Sequence, residues 1–394
     1  MKKEIAFLLY IILLIIITGC RGDGKQSTND IITVDVTKSF PQKELILQDF
    51  MDVEYIVLET NDEFLNQGIM MAIGKEIIAV KNIVRDGDIF IYNRNGKALR
   101  KINRMGQGGE EYISINSIML DEDKEEMFVN DTQKILVYDF YGKFKRSFNF
   151  PYGKLVNFDK ESFICHDRSF DKDVEETDKP PFVIISKQDG SIMKEIRPAC
   201  QQKRSETVRI QRDEMTLVVY SSNFPYTSII PWHKSWIITV YSNDTVFNYL
   251  PDHNMIPLIV RTPSILSNNP EAFLSPVLLT ERYWFLQTEK TEPEVAGTTP
   301  NDARVFWPTT NLVYDRQEKA IYECKVYNDD YSSQITVNMT QNTFNDEIAF
   351  CQKREAYQLV EAYEKGELKG RLKEIAAELD VEDNPVIMVA KFKK

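Results

Sequence analysis

The chain has 394 residues, of which 43% are hydrophobic, 27% charged and 11% aromatic, and its formal net charge is −12. This aromatic and aliphatic content excludes a disordered chain, and 16 Gly and 5 Cys exclude collagen-like and disulfide-framework classes. A phosphate-tracking surface needs clustered Lys and Arg, so nucleic acid is not the expected partner, and the length admits one large β domain or two ordinary ones.

The N-terminus reads as an address. Lys2 and Lys3 precede an uninterrupted apolar stretch from Ala6 to Ile17, too short for an ordinary membrane span but suited to a signal-peptide core. Ile17-Thr18-Gly19-Cys20 follows and resembles a bacterial lipobox, with small residues before a thiol that takes a diacylglycerol. Residues 1–19 are therefore expected to be a lipoprotein signal peptide, with Cys20 the lipidated residue and the membrane a partner through that lipid. Residues 20–44 are expected to be a tether, beginning with the polar, Gly-containing RGDGKQSTND of Arg21 to Asp30. The expected location is the cell envelope, at the outer membrane on its periplasmic or outer face. Cys165, Cys200, Cys324 and Cys351 form no CxxC and are expected to be mostly unpaired thiols.

From Asp35 to about Tyr327 short β-branched and aromatic runs alternate with turns. Ile89–Tyr92, the turn ending in Gly96, and Leu99–Ile102 form one hairpin; Ile135–Asp139, Gly142 and Phe144–Phe148 a second; Phe182–Ser186, Gly190 and Ile192–Ile196 a third. Leu312–Asp315 and Ile321–Val326 form a weaker fourth. The turn glycines recur at intervals of 46 and 48 residues, a period that fits propeller blades. The alternative is a β sandwich with coincidental hairpins.

Arg104-Met105-Gly106-Gln107-Gly108-Gly109-Glu110-Glu111-Tyr112 is similar to the GxGPGEY loop of the six-bladed β-propeller lipoproteins of Bacteroidetes, relatives of NHL-repeat propellers, with Gly109 and Glu110 where that family commonly has Pro and Gly. Tyr55–Asp62 resembles that family's opening strand, Tyr241–Phe247 its mid-chain hairpin, and Asp383–Met388 its closing strand. The resemblance implies an all-β, six-bladed propeller over residues 45–394. Its ring would close by pairing Val53–Leu58 with Pro385–Phe392, which removes open edges. Before the last strand, Ala356, Leu359, Val360 and Tyr363, then Leu368, Leu372, Ile375, Ala376 and Leu379, recur at helical spacing. Two helices, 353–365 and 367–379, are expected, capping the last blade or serving a partner.

Chemistry-bearing motifs are few. His166, His233 and His253 share no metal-ligand spacing, no nucleophile elbow or phosphate loop occurs, and no catalytic residue, metal or cofactor is expected. The clusters Asp86–Asp88, Asp121–Asp123 and Asp171–Asp173 lack EF-hand spacing and read as solvated turns. The candidate ligand-binding residues are Arg104, Gln107, Glu110 and Tyr112 in the Gly-rich loop and Trp232 with His233 in a Pro-flanked turn. Thr288 to Asn301 is expected to be a long loop and Phe170 to Pro181 an exposed one. A non-catalytic module binding a glycan, another ligand or a protein is the favoured function. A propeller enzyme (lyase, lactonase or glycan-active hydrolase) with a funnel active site is the alternative, and a structural or sensory partner in a polysaccharide-use or envelope system a third reading.

Overall fold

The computed structural model describes residues 31–167, 179–199, 207–211, 217–221, 228–240, 243–265, 267, 272–296, 304–339 and 343–393. Its first strands are β1 (Ile32–Asp35) and β2 (Gln42–Ile46), followed by the single turn α1 (Leu47–Phe50) and β3 (Met51–Val57). Three four-stranded antiparallel blades come next. They are β4 (Ile69–Ile73), β5 (Ile77–Lys81), β6 (Asp88–Asn93) and β7 (Ala98–Asn103); β8 (Ser117–Asp121), β9 (Glu126–Asn130), β10 (Lys134–Asp139) and β11 (Phe144–Asn149); and β12 (Lys154–Asn157), β13 (Ser162–His166), β14 (Phe182–Ser186) and β15 (Ile192–Ile196). The three hairpins with Gly96, Gly142 and Gly190 are strands three and four of these blades.

After a ribbon of β16 (Thr207–Gln211) and β17 (Leu217–Ser221), the fourth blade holds β18 (Ile229–Trp232), β19 (Ser235–Ile238), β20 (Thr245–Tyr249) and β21 (Met255–Thr262). The fifth holds β22 (Ala272–Leu279), β23 (Tyr283–Lys290), β26 (Thr309–Asp315) and β27 (Ala320–Tyr327), with a ribbon of β24 (Glu294–Ala296) and β25 (Arg304–Phe306) between its second and third strands. The stretch expected as a long loop at Thr288 to Asn301 thus continues β23 and pairs as β24 with β25. The loop expected at Phe170 to Pro181 lies mostly outside the described residues.

The sixth blade joins the two ends of the chain. β28 (Ile348–Arg354) pairs with β29 (Val386–Phe392), which pairs antiparallel with β3 in the register Val386↔Val57 to Phe392↔Met51. The ring is a closed six-bladed β-propeller, and its opening and closing strands meet as their sequences imply. β3 leads directly into β4, so it is the blade's outermost strand, as β7 is in the first blade. β28 then lies on the inner side of β29, and Asn338 O of the segment before it accepts Gln352 Nε2 at 2.6 Å. β28, β4, β8, β12, β18 and β22 contact one another in that order.

The tether boundary at residue 44 needs correction. β1 adds in parallel to β21, and β2 adds in parallel to β27, each as a fifth strand. From Ile32 the chain therefore runs along the outer edges of blades four, five and six. Unpaired N–H and C=O groups on an edge strand attract any extended segment, and this chain covers two such edges with its own. Lys43 on β2 fixes the second: its Nζ lies 2.8 Å from Asp315 Oδ2 and 2.8 Å from Glu318 Oε1.

The helix pair is shorter than its periodicity suggests. β28 runs on to Arg354, so α2 spans Ala356–Glu364 and α3 Gly370–Ala376. Gly366 ends α2 as expected, with φ +69, its N–H donating to Tyr363 O and that of Glu367 to Ala362 O. Leu359, Leu368, Leu372 and Ile375 pack with Val386 of β29 and Tyr55 of β3, so the pair caps the sixth blade. Among the described residues no helix is long and apolar enough to cross a membrane. Cys165, Cys324 and Cys351 are free buried thiols, as expected of unpaired cysteines, and Cys200 lies outside the described residues.

Candidate functional site

Successive antiparallel strands put the turns after first and third strands on one side of a blade, and those after second and fourth strands on the other. The Gly-rich segment joins β7 to β8 and belongs to the second group. Its geometry is self-contained: Gly108 N–H donates to Glu111 Oε2 at 2.8 Å, and Gly106 N–H to Tyr112 O at 3.1 Å. Tyr112 is fully buried, and its hydroxyl donates to Gly87 O at 2.7 Å while accepting from Arg104 N–H at 3.0 Å. Burial pushes its pKa up to about 12. It is a strut between two loops and presents no face to a ligand. Arg104 Nε donates to Gly142 O of the next blade at 2.9 Å, so this side chain too ties blades together. Gln107 and Glu110 are exposed.

Trp232 and His233 lie on the opposite side, in the turn between β18 and β19. His233 and Lys234 have φ of +48 and +59. Trp232 is half-buried and packs edge-to-face on Trp284 at 5.7 Å, while His233 Nε2 lies 2.9 Å from Glu281 Oε1 in an exposed pair. The structure therefore does not bring the two groups of candidate residues together, and Cys20 lies outside the described residues. The acidic clusters serve turns: Glu122 accepts the N–H groups of Lys75 and Glu76, both at 2.8 Å, and Asp88 pairs with Lys101 at 2.8 Å. Asp171 and Asp173 are outside the described residues. Among those described, no three His, Cys, Asp or Glu side chains converge as a metal site would require.

A cavity of about 440 Å³ opens instead at the seam where the sixth blade meets the first. Ile69 and Met70 of β4 and the half-buried Phe344 supply its apolar walls. Consecutive residues of β28, from Cys351 to Arg354, supply the polar part. Burial holds the Cys351 thiol up at about 12, so it is protonated and a poor nucleophile. Lys353 Nζ is neutralised by Glu355 Oε1 at 2.5 Å and also donates to Gln67 O at 3.3 Å. Arg354 Nη2 donates to Gln352 Oε1 at 3.1 Å and lies 3.7 Å from Met388 Sδ, both neutral, and its Nε is buried without a hydrogen-bond partner. Sequence reasoning missed this site because Gly68–Met70 and Cys351–Arg354 are brought together only by ring closure. The adjoining Lys353-Arg354 dipeptide was its one visible signal.

Among solved structures, a protein of Bacteroides fragilis described as exported is similar over 92% of this chain and 100% of its own, at 14% identity and a TM-score of 0.55. A DUF4221-family protein of Bacteroides vulgatus follows at 11% identity and a TM-score of 0.46, covering 88% of this chain and 99% of its own. Virginiamycin B lyase of Staphylococcus aureus is similar at 10% identity and a TM-score of 0.37, over 87% of this chain and 100% of its own. The first of these shows a shared fold and nothing about activity. No curated protein matches the chain. One family model matches residues 31–391, so the chain belongs to the family described as Domain of unknown function (DUF4934).

Proposed function

We propose that this chain is a lipid-anchored, exported propeller that binds a small molecule without transforming it, at the outer membrane. The observation that carries the binding part is the lining of the seam cavity. It combines the apolar walls of Ile69, Met70 and Phe344 with polar residues of β28, a mixture of the kind recognition sites have, and its thiol is held protonated. Its volume falls in the usual range of ligand pockets, about 300–1,000 Å³. The anchoring part is supported by Ile17-Thr18-Gly19-Cys20 after the apolar stretch, and by the Bacteroides fragilis relative of the same fold being described as exported.

Two measurements test this reading. The detergent-solubilised full chain is screened by thermal shift against neutral sugars, acidic sugars, aromatic acids and peptides, with mass analysis of each ligand afterwards. At least one class is expected to raise Tm and to be recovered unchanged; chemical conversion of the ligand, or no shift with any class, contradicts the binding reading. Separately, Cys20→Ala is expected to move the protein out of the membrane fraction, and an unchanged membrane fraction contradicts the lipid anchor.

A further inference from the structure

We propose that the seam cavity takes an uncharged ligand built on a flat apolar ring, with a neutral hydrogen-bond acceptor at one end held by Lys353. This rests on reading the cavity as a binding site. The pairing Cys351↔Val389 and Lys353↔Ile387 puts these two side chains on the sheet face that carries Ile387 and Val389. Cys351, Ile387 and Val389 pack in one cluster with Met70 and Phe344, so this face is the one turned to the first blade. Lys353 agrees with that placement, because its Nζ donates at 3.3 Å to Gln67 O, just before β4. Gln352 and Arg354 lie on the other face, where Gln352 Nε2 donates to Asn338 O and Arg354 Nη2 lies 3.7 Å from Met388 Sδ.

The wall that faces the seam therefore carries no uncompensated charge among the described residues. The Cys351 thiol is protonated, and the Lys353 ammonium lies 2.5 Å from Glu355 Oε1. An anion would have to compete with Glu355 for Lys353, and a cation with Lys353 for Glu355. Taking an ion out of water into such a site is costly when no opposite charge is free to meet it. Glu355 and Gln67 O occupy two of the three N–H groups of Lys353, which leaves one for a hydroxyl or carbonyl oxygen of a ligand. Ile69, Met70 and Phe344 supply the apolar lining. The sulfur atoms of Met70 and Cys351 and the Phe344 ring offer soft, polarisable contacts that favour an aromatic ring over a saturated one.

The test is a titration of the full chain, followed by ligand-observed NMR, with benzyl alcohol, benzoate and benzylamine, which share one ring and are neutral, anionic and cationic at neutral pH. The alcohol is expected to bind about ten-fold more tightly than either ion, and more tightly than cyclohexylmethanol. Glu355→Gln uncovers the Lys353 charge and is expected to strengthen benzoate by about ten-fold, the scale of one charge-assisted hydrogen bond, without weakening the alcohol. Circular dichroism establishes that Glu355→Gln is folded, and the ranking of the probes on wild type does not depend on that variant. Met70→Trp, which keeps the ion pair and fills the cavity from the opposite wall, is expected to abolish binding. Benzoate or benzylamine binding wild type as tightly as the alcohol overturns the neutral-ligand assignment and leaves the binding reading standing. Unchanged benzoate affinity in Glu355→Gln overturns the role given to the Lys353–Glu355 pair, and equal binding of cyclohexylmethanol overturns the aromatic preference. Full alcohol affinity in Met70→Trp overturns the location. Failure of benzyl alcohol to bind overturns this inference alone, whereas the binding reading falls only if the wider thermal-shift screen also shows no ligand.

Discussion

The side-chain carbonyl of Asn384 accepts the backbone N–H of Asn66 at 2.8 Å, across 318 residues of chain. The other end of the same amide donates to Glu59 O at 2.9 Å and Phe64 O at 2.7 Å, and Asn66 Nδ2 donates to Tyr92 OH at 2.6 Å. Asn384 is 1% exposed, so these bonds are made away from water. The network ties the entry to the last strand to the connection between the sixth and first blades. Replacing Asn384 by Ala leaves the Asn66 N–H and the Glu59 carbonyl without these bonds, while Phe64 O keeps Asn66 Nδ2 and the Tyr92 hydroxyl. The expected cost is about 3 kcal/mol, read as a lower urea midpoint at unchanged m-value.

Gly96 makes a second contact at this closure. Its φ is +80, and a Cβ there would fall 1.9 Å from the carbonyl oxygen of Val57. Gly142 repeats the arrangement one blade on, where a Cβ would meet Ile102 at 2.8 Å. Gly96→Ala is expected to destabilise by about 2–4 kcal/mol, since a backbone carbonyl cannot rotate away as a side chain can. Gly109 has nothing within 4 Å of the same construction. Gly109→Ala should stay within about 0.5 kcal/mol, and equal losses at the two sites would refute the packing argument.

Acid should weaken the fold through paired carboxylates. Arg146 donates to both oxygens of Glu126, at 2.7 and 2.8 Å, and Lys145 adds a third contact. Together they lower the Glu126 pKa from 4.5 to about 2. Burial pushes the Asp315 carboxyl up, but Arg282 and Lys43 outweigh it and leave it well below its ordinary value. A depressed folded pKa gives stability that is full above the unfolded value and is lost as pH falls through the folded one. The Glu126 contribution, on the order of 3 kcal/mol, should therefore disappear between about pH 5 and pH 2. Unfolding free energies of wild type and Glu126→Gln, measured across that window, should converge at its acid end. Parallel curves would contradict the pairing.

The thiols give an independent reading of packing. Burial raises Cys165 well above its ordinary value and Cys324 and Cys351 to about 12. All three should react slowly with Ellman's reagent in the folded chain at pH 8 and rapidly in denaturant. Fast reaction of any of these three in the native state would mean that its blade is open.

Much of the ring was legible because its information is local. A turn glycine followed by a resumed apolar run marks strands three and four of a blade, and these appear where Gly96, Gly142 and Gly190 put them. The closing pair was legible because Tyr55–Asp62 and Asp383–Met388 resemble the opening and closing strands of the six-bladed propeller lipoproteins. β1 and β2 were not, since they add to sheet edges through backbone groups and their side chains bear no period that separates them from a tether. Tyr112 was misread because its task depends on Gly87 O, which the fold brings up from another loop. The seam cavity was passed over for the same reason, Met70 and Phe344 being distant in sequence from Cys351 and Lys353.

Ring closure underlies both the stability of the sixth blade and the seam cavity beside it. Hydrogen exchange read by mass spectrometry measures it directly, by comparing the outermost strand Met51–Val57 with β11, and its neighbour Val386–Phe392 with β10, of the second blade. The backbone pairing from Val386↔Val57 to Phe392↔Met51 predicts that both closing strands are protected as strongly as the second blade and lose protection together. Rapid exchange of either closing strand while the second blade stays protected would contradict the closed ring.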